Sequence, residues 1–269
     1  MKLLILLLSI HSINYAIKPL KNYIEFPDTT QINLKTYEII NENNDTVFCW
    51  HYSNKNHSKK TSIILSYGDF GNMSYWIYQA TNLALIGYDV ITYDYRGFGK
   101  SSNFNINEKQ LFYNEFSEDL LNVYSYIRKI SPENKIGLLG YSMGSYINLI
   151  AAEKLKVQKL NVDFLISEGQ IFSPFEISKK LYKIKNIKYT FPKNTKEYTI
   201  KTIQKKICPK ILIFIGKKDD LINNQLGTIK PNKCSLIYYE GGHLEGVNIM
   251  TEKFEGDKYF ESIENFING

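Results

Sequence analysis

The sequence predicts an α/β protein in which a mostly parallel, eight-stranded sheet is covered by helices on both faces. Three observations lead to this prediction. Apolar strand-like segments recur along the chain, and segments with helical spacing lie between the later ones. At 269 residues and 43% hydrophobic content, the chain can bury one sizeable core. An apolar strand also runs through a glycine-rich turn at Gly140–Gly144 directly into a helix.

The predicted strands are short and rich in apolar and β-branched residues. In chain order they are Ile32–Ile40, Thr46–Tyr52, Ser62–Tyr67, Asp89–Tyr93, Lys135–Gly140, Asp163–Ser167, Ile211–Gly216 and Ser235–Tyr239. The first two follow each other like a hairpin, so we expect them to pair antiparallel. The later ones are separated by helical patterns, which favours parallel pairing. The predicted helices are Ser74–Ile86, Glu115–Ile130, Ser145–Leu155 and Thr251–Ile267.

The turn at Gly140–Gly144 has the pattern G-x-S-x-G with Ser142 at its centre. A serine at a tight strand-to-helix turn is held in a strained conformation, and the flanking glycines let the neighbouring main chain pass close by. The turn exposes the hydroxyl and directs the first amides of the helix, including that of Met143, towards an attacked carbonyl. We therefore predict that Ser142 is a nucleophile.

A serine hydroxyl needs a base and an acid that orients the base. The predicted strand Ile211–Gly216 is followed by Asp219 and Asp220, and the strand Ser235–Tyr239 is followed by His243. Asp219 is preferred because it follows the strand-ending glycine by three residues, and Asp220 is the alternative. The order Ser142, Asp219, His243, each after a strand, is the order of an α/β-hydrolase triad.

These motifs resemble the α/β-hydrolase superfamily, and in particular its compact single-domain esterases, monoacylglycerol lipases and thioesterases. The resemblance extends from about residue 30 to the end of the chain. A second motif supports the resemblance: Tyr93–Ser101 is similar to the family's D-x-R-G-x-G-x-S turn. This turn is expected to be structural, and Asp94 and Arg96 are able to pair in it.

In the family, a motif that usually begins His-Gly follows the third strand and donates an oxyanion-hole amide. Here Tyr67 replaces the histidine, and an acid, Asp69, occupies the usual donor position. Because the useful group is a backbone N–H, the amide of Asp69 is the first candidate and that of Phe70 the second, alongside Met143.

The segment Ile171–Lys206 lies where the family inserts a cap. It contains ten lysines and two glutamates, so it carries a net charge of +8 in a chain whose net charge is only +6. Apolar residues alternate with the lysines. We expect a short helical cap with an apolar underside for an acyl chain and a basic outer face that contacts anionic substrates or surfaces; a merely solvated lysine-rich face is the alternative.

The first sixteen residues have one lysine followed by an apolar stretch too short to anchor in a bilayer, which predicts a secretory signal peptide. Cleavage after Ala16 or after Ser12 is compatible with this pattern. The hydrolase domain would then span 17–269, and the protein would be secreted or periplasmic. Export would allow a disulfide between Cys208 and Cys234, two free thiols being the alternative.

The sequence has no H-E-x-x-H, paired C-x-x-C or phosphate-binding glycine motif, so we expect no metal and no cofactor. The modest net charge does not indicate nucleic-acid binding. The predicted protein is a monomeric serine hydrolase that cleaves a small-molecule or lipid-like ester or thioester through an acyl-enzyme. The alternatives are a peptidase similar to the prolyl oligopeptidases and a catalytically idle relative that binds a ligand or partner.

Overall fold

The computed structural model describes residues 16–208, 210–222 and 234–269. The predicted leader therefore lies outside the described residues, apart from Ala16. Every strand of the main sheet was predicted from the sequence, with bounds within two residues. The strands are β1 Lys18–Pro19, β2 Ile32–Ile40, β3 Thr46–Asn54, β4 Thr61–Ser66, β5 Phe70–Gly71, β6 Asp89–Tyr93, β7 Lys135–Tyr141, β8 Phe164–Glu168, β9 Ile211–Gly216 and β10 Cys234–Tyr239.

The main sheet has eight strands in the order β10-β9-β8-β7-β4-β6-β3-β2. Only β3 pairs antiparallel, with β2 and with β6, and the other neighbours are parallel. The buried central strands are almost continuously apolar, as expected when helices cover both faces. The carboxyl ends of β4, β7, β8, β9 and β10 therefore meet at one edge of the sheet, where ligands bind in open α/β sheets.

The helices surround this sheet. A short 3-10 helix, Met73–Trp76, leads into the first of them. They are α1 Ile77–Ile86, α2 Asn114–Ile130, α3 Met143–Val157, α4 Pro174–Lys185, α5 Ile200–Lys206, α6 Gly246–Ile249 and α7 Asp257–Asn268. Within the described residues, no helix is long and apolar enough to cross a lipid bilayer.

The prediction of one helix over Thr251–Ile267 was wrong for its first turns. The chain forms the short α6 before this segment, and α7 begins only at Asp257. The residue before α7, Gly256, has φ +76°, a left-handed conformation that interrupts a right-handed helix.

The sequence pattern did not predict the strap, which we define as residues 16–24. Its strand β1 pairs with β5 directly after the predicted oxyanion residue Asp69, and the Lys18 N–H donates to the Asp69 carbonyl at 2.8 Å. The Leu20 N–H donates to the Gly71 carbonyl at 2.9 Å, and Ile17 is fully buried. The strap therefore holds the loop after β4, at the carboxyl end of the sheet.

The expected Asp94–Arg96 pair does not form. Arg96 instead binds the buried Asp119, its Nε donating to Oδ1 at 2.8 Å. Asp94 accepts hydrogen bonds from the hydroxyls of Tyr23 and Tyr67 and from the Met73 N–H. The motif is structural, as expected, but its two charged residues stabilise different contacts.

Cys208 and Cys234 lie at the amino-terminal end of the parallel strands, opposite the predicted site, whereas Cys49 lies within β3. Cys234 is in register with Ile211, the first residue of β9, and Cys208 precedes that strand. Cys49, Cys208 and Cys234 are all free and buried in the structure. The structure thus corresponds to the free-thiol alternative for Cys208 and Cys234 and contains no bridge between them.

Candidate active site

Ser142 lies on the sharp turn between β7 and α3, with φ +49° and ψ −117°, a conformation that is unfavourable for a residue with a side chain. The flanking glycines make the turn possible. A Cβ on Gly144 would lie 2.1 Å from the Ser66 carbonyl oxygen, and one on Gly140 would lie 2.6 Å from the Cα of Ser145. The close approach of β4, β7 and α3 explains why the G-x-S-x-G spacing produces an elbow.

His243 lies between Ser142 and Asp219. Its Nε2 is 2.9 Å from Ser142 Oγ, and its Nδ1 is 2.8 Å from Asp219 Oδ2. Three residues that are far apart in the chain are thus brought into one hydrogen-bonded row at the carboxyl ends of β7, β9 and β10. Asp220, the alternative acid, is exposed to solvent.

The orientation of Asp219 is fixed by its own backbone surroundings. Its Oδ1 accepts hydrogen bonds from the N–H groups of Leu221 at 3.0 Å and Ile222 at 3.1 Å, which leaves Oδ2 facing His243. Burial raises the pKa of Asp219, but the hydrogen bond and charge of His243 and these two amides outweigh it, so the pKa lies below its usual value. The carboxylate is therefore ionised at neutral pH.

The pKa of His243 is raised above its ordinary value of 6.5. Burial lowers this pKa, but the hydrogen bond and charge of Asp219 oppose it, and the charges of Asp69 and Glu168 act in the same direction as Asp219. The surroundings therefore stabilise the imidazolium, the form that a general base adopts after it has taken a proton.

The two predicted oxyanion residues flank the nucleophile. Met143 is the first residue of α3, so its N–H has no acceptor within the helix. On the other side, a Cβ at Gly68 would lie 3.7 Å from the Cβ of Ser142, which places the backbone leading to Asp69 beside the nucleophile. The exposed Asp69 is itself held by the strap through its carbonyl, while Phe70, the second candidate, belongs to β5.

The unusual Tyr67 side chain is part of the core. It is fully buried, its hydroxyl donates to Asp94 Oδ1 at 3.2 Å, and its ring centroid lies 4.7 Å from that of Tyr95. The Tyr95 hydroxyl in turn donates to the Tyr67 carbonyl at 2.9 Å. Tyr67 therefore supports the loop from within the core, and the backbone that follows it lies beside Ser142.

The cap contacts both α3, which follows Ser142, and the loop that carries Asp219. The Ile171 N–H donates to Ser145 Oγ at 3.0 Å, and Lys180 Nζ donates to the carbonyls of Asp220 and Leu221 at 2.6 and 3.0 Å. Most of the predicted apolar underside is buried or partly buried. Tyr182 and Ile184, at 52% and 50% exposure, face solvent instead.

Sequence reasoning missed one charged residue of this site, Glu168 at the end of β8. It is 1% exposed and contacts the loop that carries His243. A carboxylate at the end of a strand was the available signal, but no sequence pattern indicated that it would be buried. Among the described residues, no group of three or more His, Cys, Asp and Glu side chains is arranged to hold a metal ion.

Structural comparison finds proteins of the same architecture. The esterase Pf2001 of Pyrococcus furiosus superposes with a TM-score of 0.70 at 15% identity, covering 94% of this chain and 97% of that one. An esterase of Pyrobaculum calidifontis gives 0.60 at 14% identity, with 87% and 84% covered. A serine hydrolase without lid from Xanthomonas campestris, XC6422, gives 0.52 at 15% identity, with 81% and 87% covered. At these identities, the likeness concerns the fold.

No curated protein matches the sequence. The family model described as alpha/beta hydrolase fold matches residues 61–211, which is more than half of the 269 residues. The matched region includes the elbow at Ser142 and the strands on both sides of it. The fold, the position of the elbow and this match lead to one conclusion: the chain belongs to the α/β-hydrolase family.

Proposed function

We propose that this protein is a serine hydrolase that cleaves a carboxylic ester or thioester through an acyl-enzyme. Membership of the family supports hydrolase activity. The observation that carries the finer proposal is the row Ser142, His243, Asp219, with heavy-atom distances of 2.9 and 2.8 Å. Such distances allow proton transfer between the serine and the imidazole.

In the proposed reaction, Ser142 Oγ attacks the carbonyl carbon while His243 Nε2 takes the hydroxyl proton. The carbonyl oxygen becomes an oxyanion, which the N–H groups of Met143 and Asp69 stabilise. His243 then gives the proton to the leaving oxygen or sulfur, and the alcohol or thiol departs. A water molecule attacks the acyl-enzyme with His243 as base, and the acid and free Ser142 are released. Asp219 holds the Nδ1–H and supports the imidazolium.

The alternative of a catalytically idle relative depends on the altered motif at Tyr67. The burial of that side chain in the core supplies a structural reason for the change that does not require loss of activity. Nothing in the described residues specifically favours a peptidase.

Labelling by a fluorophosphonate probe tests the proposal because it requires an activated serine. Ser142→Ala should abolish labelling and lower ester turnover by about 10³–10⁶-fold, and His243→Ala should have a comparable effect. Ser262→Ala, on the outer surface of α7, is the matched control and should label like the parent. Labelling retained in Ser142→Ala would refute the proposal. A series of p-nitrophenyl esters of rising length, with a thioester and an aminoacyl amide, would then identify the substrate class.

We also propose that the basic cap favours anionic substrates or surfaces, and that the protein acts as a monomer. Lys183 and Lys188 are exposed, whereas Lys180 is used to hold the acid loop. Replacing Lys183 and Lys188 by glutamine should raise KM for an anionic ester but not for a neutral ester of equal length, and the difference should shrink as salt rises. Replacement of Lys129 and Lys159, distant in the fold, is the control. Equal effects on both esters would contradict a role of the cap's charge and would leave the cap only an apolar covering role.

Export is a further part of the proposal, and the strap limits where the leader can be removed. Cleavage after Ala16 would create an ammonium group on Ile17, which is fully buried, and burial of an unpaired charge is unfavourable. Cleavage nearer Ser12 avoids this cost. Intact-mass analysis of protein from its own host should therefore show loss of about twelve residues, in the range of signal peptides. Retention of Met1 would contradict export.

A further inference from the structure

Glu168 is a buried carboxylate for which the proposed mechanism has no role. It ends β8, the strand between those that carry Ser142 and Asp219, and it is in register with Tyr141. Its backbone carbonyl accepts the Ser142 N–H at 3.0 Å. No lysine, arginine or histidine forms an ion pair with it within the described residues.

The carboxylate is held by the loop that carries His243. Glu168 Oε1 accepts the Gly246 N–H at 2.7 Å and the Tyr239 hydroxyl at 2.8 Å, so it contacts the chain on both sides of the histidine. A Cβ at Gly246 would lie 2.8 Å from the same oxygen, so a side chain there would displace the carboxylate. The next residue, Gly169, has φ +64°, and a Cβ on it would lie 2.6 Å from Cε1 of His243.

We propose that Glu168 is a positioning residue: its carboxylate holds the His243 loop against the strand that carries Ser142 and, when ionised, stabilises the imidazolium together with Asp219. The inference depends on the proposed function for its catalytic consequence. A buried carboxylate with two donors on one oxygen is a strong acceptor, and a charge near the base is least screened where water is excluded.

The charged and titratable neighbours on every packed element are consistent with this role. Glu168 faces Tyr239 of β10, Tyr259 of α7, Tyr141 of β7 and His243. The pKa of Glu168 lies above its ordinary value, because burial raises it by more than the hydrogen bonds from Gly246, Tyr239 and Tyr259 and the charge of His243 lower it. His243 itself faces three acids, which are Asp219 after β9, Asp69 after β4 and Glu168.

The test is an NMR titration of the His243 Cε1–H resonance, assigned by its absence in His243→Gln. Glu168→Gln keeps the size of the side chain and an oxygen for the Gly246 amide but removes the charge. The His243 pKa should therefore fall below that of the parent, and Glu168→Asp should retain more of the parent value. Glu240→Gln, on the same loop but exposed and paired with Lys217, is the matched control and should titrate like the parent. An unchanged His243 pKa in folded Glu168→Gln would overturn the inference.

A kinetic measurement tests the positioning role separately. Glu168→Gln should lower kcat by about 10–100-fold with little change in KM and move the acid limb of kcat/KM to lower pH. Tyr239→Phe removes one donor and should also lower kcat; normal kcat in that variant would contradict the positioning role even if Glu168→Gln does not fold. If the parent has no Ser142-dependent turnover, the proposed function fails, but the NMR titration still decides the charge effect.

Discussion

Replacement of Asp219 by asparagine should inactivate the protein through the tautomer of His243. In the structure, Asp219 Oδ1 accepts two backbone N–H groups, from Leu221 and Ile222. An asparagine would keep its carbonyl oxygen there, because an amide NH₂ cannot accept these bonds. Its NH₂ would then take the place of Oδ2, which lies 2.8 Å from Nδ1 of His243.

A donor at that position requires a lone pair on Nδ1, so the ring proton moves to Nε2. Nε2 lies 2.9 Å from Ser142 Oγ. With a proton on it, Nε2 would donate a hydrogen bond to the hydroxyl and could no longer accept the hydroxyl proton, as a general base must. Loss of the base in this way costs about 10⁴-fold in kcat in triad enzymes of known mechanism. We expect a loss of about 10³–10⁴-fold here, with an unchanged fold.

Steady-state hydrolysis of p-nitrophenyl butyrate measures this loss, with circular dichroism to verify folding. Asp220→Asn is the matched control. Asp220 is exposed, and its carbonyl contact with Lys180 is unaffected by a side-chain change, so its kcat should stay within about twofold of the parent. A smaller loss in Asp219→Asn than in Asp220→Asn would refute this assignment of the triad acid.

Three further predictions follow from the geometry. Since a general base must be neutral and the pKa of His243 is raised, kcat/KM of the parent should fall with decreasing pH through a midpoint above 6.5; a midpoint below 6.5 would contradict this. Gly144→Ala forces a Cβ to within 2.1 Å of the Ser66 carbonyl and should lower the free energy of unfolding in urea by about 1–3 kcal/mol or more, whereas Gly68→Ala, with 3.7 Å of room, should not. Deletion of residues 1–20 removes β1 and should lower kcat by about 100-fold through displacement of the oxyanion loop, whereas deletion of 1–12, which does not put the new terminus on the buried Ala16 or Ile17, should preserve kcat.

The main sheet and the positions of the candidate triad were predictable because each depends on a local pattern. Buried parallel strands are continuous apolar runs, and the groups of an active site follow them at their carboxyl ends. Ser142, Asp219 and His243 could therefore be placed from strand ends alone. The strap could not be predicted, since a two-residue strand has no periodicity and depends on a partner 52 residues away in the register Lys18 to Phe70.

Other departures have the same origin in tertiary contacts. The helix predicted from Thr251 is interrupted at Gly256, whose left-handed conformation is not visible in an apolar spacing. Tyr182 and Ile184 match the helical pattern of an apolar underside, but α4 ends at Lys185 and leaves them exposed. Arg96 binds Asp119 because α2 packs close to the turn, a contact that the motif itself cannot specify.

The topology explains how Glu168 comes close to the loop that carries His243. The sheet order places β8 between β7 and β9, so Glu168, the last residue of β8, lies between the strands that carry Ser142 and Asp219. The histidine loop arrives from β10 and must cross the end of β8 to reach Ser142. The crossing brings the loop against Gly169, where only glycine leaves room for the imidazole, and against Glu168. A neutral side chain at 168 could still accept the Gly246 amide, but only a carboxylate adds negative charge near His243. Holding the loop and setting the pKa of the base are therefore separable, which is why Glu168→Gln and Tyr239→Phe should affect the titration and the turnover to different extents.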